Sequence, residues 1–182
     1  MDIIHFLKNQ RIDYLKAFEI MKARLTQNGF YFLTEPIDNG IPENNAALFS
    51  FFRYDFLVKT NENDDYIHAT VDVNPTLFES AQLLTFSSIE ILLQSFVWNS
   101  CKIRFDTNIK IDFFNQWYEK SMQLDNEKYD STIKNVIHSI NLVDDKTAII
   151  DFGTVECEKL FDLFDILRKE GVSKMTIESA YE

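Results

Sequence analysis

The chain has 182 residues, of which 46% are hydrophobic and 14% aromatic, and its formal net charge is −11. This apolar share excludes a wholly disordered chain, because disordered chains lack the side chains needed to offset the entropy of ordering. The acidic excess argues against direct binding of nucleic acid, which requires clustered Lys and Arg. A chain of this length usually builds one core, so we expect a single domain over residues 1–182.

The start of the chain predicts a helix, a strand and a loop. Apolar side chains recur at three- and four-residue steps from Ile4 to Leu25, and Gly29 follows where a helix would end. Residues 30–33 are apolar and typical of a short strand. Residues 35–45 contain two prolines and an Asp-Asn-Gly sequence, and they therefore predict a loop.

A β-hairpin is predicted next. Its strands are residues 48–59 and 66–73, and in the second strand apolar and polar side chains alternate. The intervening sequence Asn-Glu-Asn-Asp-Asp, residues 61–65, forms the predicted turn. The alternation indicates a strand with one buried face.

Two helices are predicted after this hairpin. The Asn74-Pro75 pair has the residue types favoured at the N-cap and at the first helical position, so the first helix is expected to run to Leu84. The second is expected to run from Ser87 or Ser88 to Trp98. Residues 81–98 carry a single charge among many polar groups, and we interpret them as a buried helix of a globular protein.

The final third of the chain predicts a second hairpin and further helices. The predicted elements are a strand at 102–105, a helix at 109–122, strands at 134–143 and 147–152 around a turn at 144–146, a helix at 154–170 and a last strand around 175–177. The predicted fold class is α+β, an antiparallel sheet built from two hairpins plus short strands, with helices packed mainly on one face. Each hairpin precedes a predicted helix, which fits either a duplicated ββα unit or two generic units.

Features of export are not evident in the sequence. Residues 1–5, Met-Asp-Ile-Ile-His, do not resemble the basic start of a secretory signal. Cys101 and Cys157 are the two cysteines, too few for a disulfide framework in a chain of this length. We therefore expect a cytoplasmic protein without a membrane partner.

The common catalytic and cofactor motifs are missing. Glycine occurs at four positions, so the chain has no glycine-rich phosphate loop and no dinucleotide fingerprint. Cys-x-x-Cys, His-Glu-x-x-His and Gly-x-Ser-x-Gly sequences do not occur either. We accordingly expect no cofactor and no metal, and we name no catalytic residue.

Scattered residues keep an enzymatic alternative open. His68 and His138 fall in predicted strands, where they could meet across a sheet, but the sequence identifies no partner for either. Cys157 lies in the first turn of the last predicted helix, where a helix dipole lowers a thiol pKa and flanking acids oppose it. Asp144 and Lys146, with Asp130 upstream, loosely match an acid–acid–lysine nuclease site, although they lie on a hairpin turn.

Acidic residues at two predicted surfaces are the candidate partner-binding residues. They are Glu62, Asp64 and Asp65 at the first hairpin turn, and Asp144, Asp145, Glu158, Asp162 and Asp165 at the second turn and on the last helix. Each set is either ordinary solvated surface or a site for a basic protein partner. Our leading hypothesis is an immunity or inhibitor protein that neutralises a toxin such as a nuclease. The alternatives are a hydrolase or metal-dependent nuclease with a scattered site, and a binder of small apolar ligands; the oligomeric state stays open.

Overall fold

The computed structural model describes residues 2–38, 52–59, 65–122 and 135–181. In chain order the elements are α1 (Ile3–Gln27), β1 (Tyr31–Thr34), β2 (Ile37–Asp38), β3 (Phe52–Arg53), β4 (Phe56–Lys59), β5 (Tyr66–Ala69), β6 (Thr76–Phe86), β7 (Ile89–Phe96), β8 (Cys101–Phe105), α2 (Ile111–Met122), β9 (Ser139–Asp144), β10 (Thr147–Asp151), α3 (Cys157–Lys169) and β11 (Lys174–Ser179). The fold class is α+β, which confirms the prediction.

The described strands form two main sheets. The larger has six strands in the order β6-β7-β11-β8-β10-β9, and all its neighbours are antiparallel except β7 and β11, which are parallel. The smaller is antiparallel and has the order β1-β4-β5, and β2 pairs separately with β3. The two predicted hairpins are present, but β4–β5 belongs to the small sheet and β9–β10 to the large one.

One face of the six-stranded sheet is buried. The register aligns Ile103 of β8 with Ala148 of β10 and with Ile177 of β11, and all three side chains are buried. Aromatic contacts fasten the helices to this sheet: Phe6 of α1 to Phe78 and Phe96, Phe114 of α2 to Phe105, and Phe161 and Phe164 of α3 to Phe86. The helices therefore pack mainly on the face that carries these aromatic side chains.

The other face of this sheet carries paired charges. Glu178 of β11 lies 2.9 Å from Lys102 and 2.6 Å from Arg104, both on β8. Lys174 and Glu90, which the register places opposite each other, are 3.2 Å apart. Successive residues of a strand point to opposite faces of the sheet. The charged residues therefore lie on one face because Ile103 and Ile177, at the alternate positions, are buried on the other.

Helix α1 connects the two sheets. With 25 residues it extends about 38 Å. Its first turns reach the six-stranded sheet through Phe6, whereas Phe18 stacks on Phe56 of β4 with ring centroids 4.5 Å apart. The middle of α1, around Tyr14, consequently lies at the junction of the sheets.

The two helices predicted between residues 75 and 98 are wrong. This part of the chain forms the antiparallel hairpin β6–β7, whose turn contains Ser87 at a φ of 54°. Buried and more exposed residues alternate along β7, as expected for a strand. Ile89, Ile91 and Leu93 are buried, while their neighbours point to the other face. An apolar run alone does not distinguish a buried helix from a buried strand. The proposed ββα duplication is wrong for the same reason, because the first hairpin is followed by strands.

None of the described helices is long and apolar enough to cross a membrane.

The contact between α1 and the small sheet can be tested by replacing Phe56. Its ring is buried between Phe18 of α1 and Phe32 of β1. Phe56→Ala should lower the free energy of unfolding by about 3–5 kcal/mol, the usual cost of emptying a buried aromatic site. The matched control is Tyr31→Ala, an exposed aromatic on the same sheet, which should cost about 1 kcal/mol or less. Equal losses in urea denaturation would contradict the packing described.

Candidate functional site

A histidine and three carboxylates meet in the interior where the two sheets join. Glu35 follows β1, Asp55 precedes β4, His138 precedes β9, and Asp151 ends β10. The exposed fractions of their side chains are 0% for Glu35, 1% for Asp55 and His138, and 19% for Asp151. Four separate chain segments thus converge on one imidazole, and we call this set the His138 cluster.

The carboxylates occupy both edges of the imidazole ring. Glu35 Oε1 lies 3.1 Å from Nε2, whereas Asp55 Oδ1 and Asp151 Oδ2 lie 3.3 Å and 3.7 Å from Nδ1. The Nδ1 contacts are at ion-pair distance rather than well-formed hydrogen bonds. Within the residues that the structure describes, no group of three or more His, Cys, Asp or Glu side chains is placed to hold a metal ion.

Asp55 is held by donors from two other elements. Tyr14 of α1 donates a hydrogen bond to Oδ1, and the backbone N–H of Val71 donates to Oδ2 at 2.6 Å. Burial raises the pKa of Tyr14 well above its ordinary value, and the negative charges of Asp151 and Asp55 raise it further. The phenol therefore stays protonated and remains a donor, which ties α1 to the cluster.

Glu35 and Asp151 are held by the segment that joins β10 to α3. Thr154 donates its hydroxyl hydrogen bond to Glu35 Oε1, and the Gly153 N–H donates to Asp151 Oδ1 at 2.8 Å. Glu35 itself has a φ of 47°, in the left-handed region that non-glycine residues rarely adopt. These bonds compensate for that conformation and fix both acids against the ring.

Gly153 leaves room for the imidazole. Its φ is +53°, and a Cβ built there would lie 2.6 Å from both Cγ and Nε2 of His138. Its carbonyl accepts a hydrogen bond of 2.7 Å from the indole nitrogen of the buried Trp98. Gly153 is therefore held by Trp98 through its carbonyl, and its Cα lies close to the His138 ring. A side chain at position 153 would collide with that ring.

The cluster keeps His138 protonated. Burial by itself lowers the pKa of His138, but the negative charges of Asp151 and Asp55 and the hydrogen bond with Glu35 outweigh it and raise the pKa to about 10. Burial raises the pKa of Asp55 to about 6, against the opposing effects of His138, Tyr14 and Val71. At neutral pH the ring is thus a cation and Asp55 is mostly an anion.

A histidine in this state is suited to holding structure together. A general base works best with a pKa near the operating pH and within reach of a substrate, and His138 is protonated and fully buried. Removing one partner of a buried ion pair is costly, because the other charge is left uncompensated. We therefore interpret the His138 cluster as a structural interaction that holds the two sheets together. Asp151 is its partly exposed member.

Comparisons with protein-family models, with curated proteins and with solved structures find no match to this chain. The sequence predicts no partner for His138, and its patterns do not single out Glu35, Asp55 or Asp151. One signal was present: Asp55 interrupts a strongly aromatic sequence, Phe-Phe-Arg-Tyr-Asp-Phe, where a charge has no place unless it is paired. The sequence left open that His68 and His138 meet across a sheet. In the structure His68 lies exposed on β5 and stacks on Tyr54, whereas His138 is buried.

The acids of the first hairpin turn lie mostly outside the described residues, which exclude Glu62 and Asp64. Asp65 is described and exposed just before β5. At the second turn, Asp144 and Asp145 are both exposed, and Asp144 Oδ1 accepts a hydrogen bond of 2.7 Å from the Lys146 N–H. Of the loose nuclease match, Asp130 lies outside the described residues.

The three acids of α3 each have a basic neighbour. Glu158 lies 3.6 Å from Lys8 of α1, Asp162 lies 3.7 Å from Lys159, and Asp165 lies 3.8 Å from Arg168. The β9–β10 turn lies at one end of β10, and α3 begins beyond the other end. The structure therefore separates Glu158 from Asp144 and Asp145 by roughly the length of a five-residue strand, about 16 Å.

The two thiols are buried and unpaired. Burial raises the pKa of Cys157 to about 11, and it raises the pKa of Cys101 as well. The start of α3 does not offset this effect at Cys157. Because the thiolate is the reactive form, neither thiol is activated for nucleophilic chemistry.

Gly153→Ala tests the close approach to His138. The added methyl group should collide with the ring and also strain a left-handed backbone, so that the free energy of unfolding falls by about 3 kcal/mol or more. Gly29→Ala is the matched control, since Gly29 has a φ of +71° with open space around it and should lose only about 1 kcal/mol. Chemical denaturation measures both, and equal losses would show that the ring does not constrain position 153.

The protonation of His138 predicts how stability depends on pH. A folded pKa of about 10, against an ordinary 6.5, gives stabilisation that is complete below pH 6.5 and is lost as pH rises toward 10. The slope should approach about 1.4 kcal/mol per pH unit, the value for one proton. Asp55 acts in the same direction but between its ordinary 3.8 and about 6, and the thiols contribute only above their ordinary 9.0.

Urea denaturation at pH 6 to 9 measures this slope, and His138→Gln should remove it even though that variant is less stable. If the variant does not fold, an NMR titration of the His138 ring in the unaltered protein replaces it. A ring that titrates near pH 6.5 would contradict the proposed charge state.

Proposed function

We propose that this protein is a cytoplasmic binding protein that neutralises a basic protein partner, most concretely as an immunity or inhibitor protein against a toxin such as a nuclease. The net charge of −11 supports an electropositive partner, because complementary charge raises association rates. The proposal assigns the interior charges of the His138 cluster to structure and the exposed carboxylates to binding.

The observation that carries the proposal is that hydrogen bonds fix the backbone of the turn that bears Asp144 and Asp145. The Lys146 N–H donates to Asp144 Oδ1, and the carbonyl of Lys146 accepts a 2.7 Å hydrogen bond from the N–H of Phe105. The carbonyl of Asp145 accepts a 2.8 Å bond from the N–H of Ile109. The Asp144 carboxylate is thus positioned before binding, and it loses little conformational freedom when a partner binds, which favours affinity and specificity.

The acids of α3 are less suited to be the main contact. Each already interacts with a base within 4 Å, so a partner's cation would compete with an existing neighbour. We therefore place the β9–β10 turn at the interface and Glu158, Asp162 and Asp165 in a supporting role.

The proposal is tested by using the chain as bait in an extract of its source cell and then measuring binding of the purified captured protein. Asp144→Lys combined with Asp145→Lys should slow association about tenfold and reduce its dependence on salt. Asp13→Lys with Glu19→Lys makes the same change in net charge on α1 and should alter the rate by less than about twofold.

Capture of no basic protein, or an association rate independent of salt, would contradict the proposal. Turnover of a substrate by the isolated chain, abolished by one carboxylate substitution, would instead support the hydrolase or metal-dependent nuclease alternative.

A further inference from the structure

A second group of acceptors lies beside the exposed edge of the His138 cluster. It consists of Asp72, in the segment between β5 and β6, of Asn99 and Ser100, just before β8, and of Asp151 and Tyr181. Asp72 is exposed, Tyr181 is 53% exposed, and Asp151 is the member of the His138 cluster that reaches solvent. We call these five residues the Asn99 site.

Asn99 supplies a buried acceptor without a donor. The residue is 5% exposed, and its Nδ2 donates a 2.9 Å hydrogen bond to the carbonyl of Val71. This bond fixes the orientation of the amide, because a flipped amide would direct its oxygen at another oxygen. Among the described residues Oδ1 has no hydrogen-bond partner. A buried acceptor left in this state is unfavourable, so the site favours a ligand that donates hydrogen bonds.

The chain segments that adjoin Asn99 carry acidic and hydroxyl side chains. Val71, which the amide contacts, directly precedes Asp72, and Ser100 is paired with Ala180 through a 2.8 Å backbone bond that brings Tyr181 alongside. Burial and the charges of Asp151, Asp55 and Asp72 raise the pKa of Tyr181, against a hydrogen bond with Ser100. The tyrosine hydroxyl therefore lies in the field of these aspartates.

We propose that the Asn99 site binds the guanidinium group of an arginine from the basic partner. The inference rests on the proposed function and names the side chain that the partner would insert. A guanidinium carries five donors in a planar fork, which matches an amide oxygen beside carboxylates and a hydroxyl. It is also less strongly hydrated than an ammonium group, so it is the cation better suited to a partly buried site.

The test is an NMR titration of the folded chain with N-acetyl-arginine amide, and with N-acetyl-citrulline amide as the uncharged control. Arginine should shift the side-chain NH₂ signals of Asn99 and the backbone signal of Tyr181 in a saturable way, at least about tenfold more tightly than citrulline. Asp72→Asn should weaken arginine binding about fivefold, because it removes an exposed charge without touching the His138 cluster. Tyr181→Phe should weaken it as well.

Asp144→Asn is the matched control, since it removes the same charge at the far end of β10 and should leave the Asn99 signals unchanged. Equal binding of citrulline, no response at Asn99, or equal weakening by Asp144→Asn and Asp72→Asn would each overturn the site. If a captured basic partner still depends on Asp144 and Asp145 after such a result, only the Asn99 site is overturned. If no basic partner is captured, the proposed function fails, whatever free arginine does.

Discussion

The buried, protonated imidazole of His138 requires nearby anions, and this requirement determines which residues meet where the two sheets join. A protonated imidazole in the interior is tolerated only if anions and hydrogen bonds replace the water it has lost. Glu35, Asp55 and Asp151 provide them, and each comes from a different part of the chain. The acids need the cation equally, because alone they would repel one another in the same small volume. The two sheets are thus joined by ion pairs and hydrogen bonds to one imidazole in addition to apolar packing.

The same cluster explains the course of the surrounding backbone. Tyr14 fixes the middle of α1 to Asp55, and Arg11 donates hydrogen bonds of 2.7 Å and 3.0 Å to the carbonyls of Val155 and Thr154. Within a single turn of α1, Arg11 thus bonds the segment that leads into α3, and Tyr14 bonds the residue that precedes β4 of the small sheet. A single helix of 25 residues can span both sheets because these polar bonds define which part of it lies at their junction.

The sequence predicted the elements whose signals are local. Helices α1 and α3 and the β9–β10 hairpin follow from three- and four-residue spacing, from alternation and from the Asp-Asp-Lys turn. Residues 75–98 were mispredicted because Asn74 and Pro75 look like a helix start and because residues 81–98, with a single charge, resemble a buried helix as much as a strand. The His138 cluster could not be derived, since Glu35 and His138 are 103 positions apart and nothing local indicates that they meet. The Asn99 acceptor is equally non-local, because it is defined by a bond to Val71.

The close fit of Gly153 against His138 restricts how the sequence can vary during evolution. A side chain at position 153 would occupy the space of the ring, so a sequence that gains one must lose or move the imidazole. Without the imidazole, the three acids of the cluster lose their counter-charge, and neutral residues become preferable at the buried positions 35 and 55 and, less strongly, at position 151. The five positions should therefore vary together among descendants of this chain or stay together, whereas exposed acids such as Asp144 are free to vary one at a time.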